Sequence, residues 1–109
     1  MRVYISGKIT GLPILAAKEK FKWHAGYLEL KGHDPVNPMD LPHKNHEWID
    51  YIVTDIRALL ECDAIYMLNC WGQSLGARIE YGIAKEMGMT IIYQGDLKYE
   101  SSNLTTIGL

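Results

Sequence analysis

Apolar positions along the chain fall into two kinds of run. Short continuous runs rich in branched or aromatic residues occur at 1–6 (MRVYIS), 63–68 (DAIYML) and 90–93 (TIIY). They predict strands buried on both faces. Between them, apolar residues recur every three or four positions, which predicts helices. Ile14–Lys31 carries Leu15, Phe21, Ala25, Leu28 and Leu30 and stops at Gly32. His46–Glu61 carries Trp48, Ile52, Ile56 and Leu59 or Leu60. Ser74–Met87 opens on a good N-cap residue and stops at Gly88. A further strand around Val36 is predicted short, because Pro35 and Pro38 flank it. Gly7–Pro13, Met39–Asn45 and Asn69–Gln73 read as loops, and Gln94–Leu109 as an edge strand or a docking segment.

Strands alternating with helices predict right-handed crossovers and a parallel arrangement. The expected fold is therefore α/β: a single-domain, Rossmann-like (flavodoxin-like) three-layer sandwich over 1–109, with a mostly parallel sheet of four to five strands. Such sheets bind ligands outside the carboxyl ends of their strands. Three segments leave those ends: Gly7–Pro13, the stretch after Val36, and Asn69–Gln73.

Composition narrows the classes. With 109 residues and 48% hydrophobic content the chain suits one ordinary domain. A net charge of −2 with no basic block argues against a nucleic-acid partner and for a small ligand or a protein. Cys62 and Cys70 lack a Cys-x-x-Cys spacing and read as reduced, buried thiols. No charged leader is evident, nor an apolar run of the ~18 residues that a membrane helix needs. The expected location is cytoplasmic, with no membrane contact.

Three stretches could carry chemistry. In Ser6-Gly7-Lys8-Ile9-Thr10-Gly11 the glycines admit close backbone approach, and Lys8 and Thr10 could hold an anion. A plain strand-to-helix turn explains the same residues. Ser74 and Gly76 open a helix directly after a strand and loop, where free amides and the helix dipole suit a phosphate. Glu80, six residues after Ser74, sits among Ile79, Tyr81 and Ile83; an outward pair with Lys85 is the bland alternative. Asp55 shares a helical face with Tyr51 and Leu59, and the alternative is a solvated site near Arg57 or Arg78. Trp48, Tyr51 and Trp71 could stack a base or pack in the core. Asp63 reads as structural. His33, His43 and His46 lack a cysteine or acidic residue to complete a zinc set, so no metal is expected.

Together the order strand–SGKITG–helix, an Asp in the helix before CDAIYML, and WGQSLGARIEYGIAKEMGMTIIY resembles the nucleoside 2-deoxyribosyltransferase superfamily. The chain is most similar there to 2′-deoxynucleoside 5′-phosphate N-hydrolases and to small uncharacterised proteins beside them. The resemblance covers Met1–Tyr93, and the Ser-Leu-Gly…Glu-x-Gly-x-Ala run, ending in Gly82 and Ala84, is its most specific part. It implies that Glu80 is the nucleophile. Asp55 takes the place of the family Asp that lies eight residues before the one opening the next strand, here Asp63. It places Ser74 on a 5′-phosphate, where enzymes acting on unphosphorylated nucleosides carry an acidic residue. The family's first loop has a Ser and an Arg where this chain has Lys8 and Thr10, and a family Tyr aligns with Val3. The loop Asn69–Gln73 is one residue longer. Ser101 and Ser102 are the available counterparts of a serine that the family lends from a neighbouring subunit.

The implied reaction breaks the N-glycosidic bond of a (deoxy)nucleoside 5′-monophosphate. Glu80 would form a glycosyl ester, and Asp55 would act as acid/base or orient Glu80, with the carboxyls about 5 Å apart. Ser6, Gly7, Lys8, Thr10, Ser74 and Gly76 would hold the nucleotide and Trp48, Tyr51 or Trp71 its base, with no cofactor. The resemblance also implies a homodimer or higher homo-oligomer. Three other readings stay open: a non-catalytic nucleotide-binding or sensing module, a deoxyribosyltransferase, and a plain structural partner protein.

Overall fold

In the computed structural model, residues 1–43 and 47–95 are described. Four strands, β1 (Arg2–Ser6), β2 (Asp34–Val36), β3 (Ala64–Met67) and β4 (Thr90–Tyr93), alternate with α1 (Ile14–Leu30), α2 (Trp48–Leu60) and α3 (Leu75–Glu86). All strand pairs are parallel and the order is β2-β1-β3-β4. The architecture is the expected Rossmann-like three-layer sandwich, and this order is the flavodoxin-like one as far as its fourth strand. Chain order reverses between β1 and β3, so the crevice beyond their carboxyl ends is the natural ligand site.

β1 and β3 occupy the middle of the sheet, which explains their unbroken apolar runs. Pro35 is tolerated because β2 is an edge strand. Strand alternation then divides the core. Val3, Ile5, Ala64, Tyr66 and Leu68 pack with Phe21 and Leu28 of α1. Tyr4, Ile65 and Met67 pack with Leu59 of α2 and Ala84 of α3 on the other face. Asp63 is structural, as expected: its carboxylate accepts from the Arg2 amide at 2.9 Å.

Several local expectations need correcting. The buried face of α1 is Ala17, Phe21, His24 and Leu28; Leu15 and Leu30 are exposed. Two apolar residues at the helix ends simply lie on the wrong side of the 3.6-residue period. In α2 the buried residues are Ile52, Asp55 and Leu59, while Trp48 and Leu60 are exposed. Single 3-10 turns form at Pro38–Asp40 and Trp71–Gln73 inside segments expected to be loops. Asn37 caps the first by accepting from the Met39 amide at 3.0 Å. Gly32 and Gly88 end α1 and α3 in the left-handed region, as C-terminal glycines commonly do. His46 and most of the tail Gln94–Leu109, with Ser101 and Ser102, lie outside the described residues. Among the described residues no helix is long and apolar enough to cross a membrane.

Candidate active site

β1 delivers Tyr4 and Ser6 to the same face of the sheet, because they are two residues apart. α3 starts just past β3 and runs back across that face. Ser74 caps it, accepting from the Ala77 amide at 3.2 Å. This start places Glu80 over β1. Glu80 is only 5% exposed. Its Oε2 accepts from the Tyr4 hydroxyl and its Oε1 from the Ser6 hydroxyl, each at 2.7 Å. The alternative of an outward pair with Lys85 is therefore excluded. Burial pushes the Glu80 carboxyl up to about 7; the two hydroxyl bonds pull it down, and the nearby Asp55 charge raises it. Tyr4 is correspondingly held well above the usual tyrosine range, chiefly by burial and then by the Glu80 charge.

Asp55 approaches from α2, whose inner face also carries Ile52 and Leu59. It is buried, and its Oδ1 accepts from His43 Nε2 at 2.8 Å. Burial raises the Asp55 carboxyl, and the His43 bond opposes the rise. The His43 ring also stacks on Tyr51, with centroids 4.3 Å apart. Asp55 is thus itself buried and held by a partly buried histidine, and is not a solvated carboxylate near an arginine.

Glu80, Asp55 and His43 share one cleft of about 570 Å³. Tyr51 and Trp48 line its α2 side, while Ile9, Ile14 and Met39 give it an apolar wall. A smaller hollow of about 250 Å³ adjoins it, lined by Lys8, Gln73 and Leu75. Thr10, Trp48, Ser74 and Gly76 border both. The smaller hollow lies at the start of α3, where first-turn amides have no intrahelical acceptor. A polar, positively biased end therefore adjoins an apolar cleft that holds two carboxyls.

Three of the expected contact residues have packing or hydrogen-bonding roles within the chain. Ser6 is fully buried and holds Glu80. Gly7 borders the cleft, but its lack of a side chain has a packing cause: a Cβ there would stand 2.7 Å from Leu68 Cδ1. Trp71 stacks on Tyr81, with centroids 4.5 Å apart, and packs against the β3–α3 core. It borders neither hollow.

Tyr4 and His43 were not singled out as site residues in the sequence. Tyr4 reads as one more apolar residue in a buried strand, yet its alternation with Ser6 is a usable signal. Val3, the position where the family tyrosine aligns, packs on the α1 face and cannot reach Glu80. His43 follows Pro42 in a loop with no periodicity to place it. His33 bonds the N-terminal amine at the far end of β1, so it belongs to no common set with His43. Among the described residues, no group of three or more His, Cys, Asp or Glu side chains could hold a metal.

The family model of the domain of unknown function DUF4406 matches residues 1–93. The chain belongs to that family. The DUF4406 match runs from β1 to the last residue of β4, so it contains every described site residue. No curated protein matches the chain.

Proposed function

We propose that this DUF4406 chain is an N-glycosidase acting on a (deoxy)nucleoside 5′-monophosphate. The observation that carries the reading is Glu80: a buried carboxylate, gripped by two hydroxyls, at the floor of a cleft that also contains the His43–Asp55 pair. Burying a carboxylate among apolar side chains is costly. A purely structural role would be filled better by an uncharged residue. A nucleophile needs this arrangement, since two donors fix both oxygens and desolvation keeps the group reactive.

In this reading Glu80 attacks C1′ as the C1′–N bond breaks, giving a glycosyl ester and a departing base. The base leaves with the bonding electrons and takes a proton from the His43–Asp55 pair. The same pair then accepts a proton from water as water attacks C1′ and frees Glu80. Lys8, Thr10 and the start of α3 at Ser74 and Gly76 hold the 5′-phosphate in the smaller hollow. Binding energy at this remote end positions the sugar over Glu80. Trp48 offers a face for the base; Tyr51 already stacks on His43.

The test is release of free base, followed by chromatography, across a panel of ribo- and deoxyribonucleoside 5′-monophosphates, with Glu80→Ala alongside. Release by the wild type and not by the variant supports the reading and names the substrate. Binding without release from any member overturns it in favour of a nucleotide sensor. Base exchange in the presence of a second free base would instead identify a deoxyribosyltransferase.

A further inference from the structure

The proposed reaction leaves one charged group of the cleft without a task. Lys18 borders the larger cleft and not the smaller hollow, where Lys8 stands. Among the described residues it is the one lysine or arginine on the cleft's lining. No local partner explains it. The residues three and four positions away on α1 are Ile14, Leu15, Phe21 and Lys22, so no acidic residue is its neighbour on the helix surface. Nor does it make an ion pair among the described residues.

The fold sets what Lys18 can meet. β1 leads into α1 through residues 7–13, so the first turns of α1 stand at the carboxyl edge of the sheet. Ile14 lies one turn before Lys18 on the same side of the helix. Both border the cleft together with Met39 and His43. The phosphate end is the other one, at Lys8, Gln73 and the start of α3. A nucleotide with its phosphate there and C1′ over Glu80 would lay its base along the wall of Ile14 and Met39. The base edge farthest from the sugar would then face Lys18.

We infer that Lys18 selects nucleotides whose base carries an oxo group on that edge, a 6-oxopurine or a 4-oxopyrimidine. The inference rests on the proposed N-glycosidase reading, because that reading orients the nucleotide. An ammonium has three N–H donors and no acceptor. It donates to a carbonyl oxygen. An exocyclic amino group offers it only more donors, so both groups lose water without gaining a partner. The same contact stabilises charge that develops on the base as it leaves with the C1′–N electrons, so the preference falls on kcat as well as on binding.

The test compares inosine with adenosine 5′-monophosphate, and uridine with cytidine 5′-monophosphate, on whichever sugar, ribose or deoxyribose, the protein binds better. Dissociation constants come from calorimetry and kcat/KM from base release, for the wild type, Lys18→Met and Lys18→Glu. Lys18 is exposed, so neither variant removes a core contact, and thermal unfolding checks this. The wild type is expected to favour the oxo member of each pair about tenfold. Lys18→Met should erase that preference, and Lys18→Glu should reverse it, because a carboxylate accepts from an amino group. A wild type without the preference overturns the inference, as does a preference that survives Lys18→Met. Equal weakening of all four nucleotides by Lys18→Met also overturns it, by assigning the lysine to the phosphate. A binding preference that depends on Lys18, with no base released, upholds the lysine's role and overturns the reaction. Release without the preference does the reverse, and absence of binding overturns both.

Discussion

The two faces of the sheet are built from alternate residues of the same strands and have opposite characters. The α1 face, with Val3, Ile5, Phe21, Leu28, Ala64, Tyr66 and Leu68, is a continuous packed layer. Its buried histidine, His24, lies 3.1 Å from the Tyr66 hydroxyl. On the α2/α3 face the same strand β1 presents Tyr4 and Ser6 to a carboxylate, and the helices add Asp55 and Glu80. One face gains stability from apolar burial. The other gives some up by burying charge, and gains a cleft that can do chemistry. The lesson is that neighbouring residues of one strand can serve separate ends at no cost to each other, because the sheet lies between them.

That contrast predicts that changes on one face leave the other's property alone. The largest effect is on chemistry: Glu80→Ala should lower base release at least about a thousandfold, since it removes the carboxylate assigned to form the ester. A rate within tenfold of the wild type would remove Glu80 from the mechanism. On the opposite face, Phe21→Ala should cost about 3–5 kcal/mol of stability through the cavity it leaves. Below the melting transition its kcat should match the wild type, and a fall in kcat would mean that the faces are coupled. His43→Ala should reduce kcat about a hundredfold with little change in KM, because the Asp55 pair then loses its proton carrier.

Glu80→Gln sharpens the comparison through pH. Burial holds the Glu80 carboxyl up at about 7, so the folded chain binds that proton more tightly than the unfolded chain does. The resulting stabilisation is complete below the ordinary carboxylate range and is lost as pH rises through about 7. Urea denaturation should therefore find Glu80→Gln more stable than the wild type at pH 8, by up to about 3 kcal/mol, and equal to it near pH 4. The smallest effect is that of Tyr4→Phe. It removes one donor that favours ionised Glu80, so the acid limb of the rate profile should move to higher pH, by about one unit or less. A shift to lower pH would contradict the observed hydrogen bond.

Sequence periodicity made the order of elements legible. β4 forms over the expected residues, and α3 begins directly after its expected cap, because its start, end and buried face are all written locally. The same holds for the positions of Glu80 and Asp55, each on the inner face of its helix. What the sequence hid depends on distance through space. His43 meets Asp55 twelve residues away across a loop, and no spacing rule encodes that. Tyr4 is disguised by its strand, where an aromatic looks like core. For Trp71 the sequence leaves base stacking and packing both open, and in the structure it stacks on Tyr81. Leu15 and Leu30 show that counting apolar residues without fixing their phase overstates the buried face.

Gly7 sets a tolerance for the whole cleft. Its Cα carries only hydrogen where a methyl would press to 2.7 Å of Leu68 Cδ1 and 2.9 Å of Leu68 Cβ. Ser6, which fixes one oxygen of Glu80, is the adjacent residue. Any side chain at position 7 would act as a wedge between the ends of the two central strands and would swing the Ser6 hydroxyl off its target. The spacing between two backbones, set by one absent carbon, is thus the gauge against which the carboxylate is aligned.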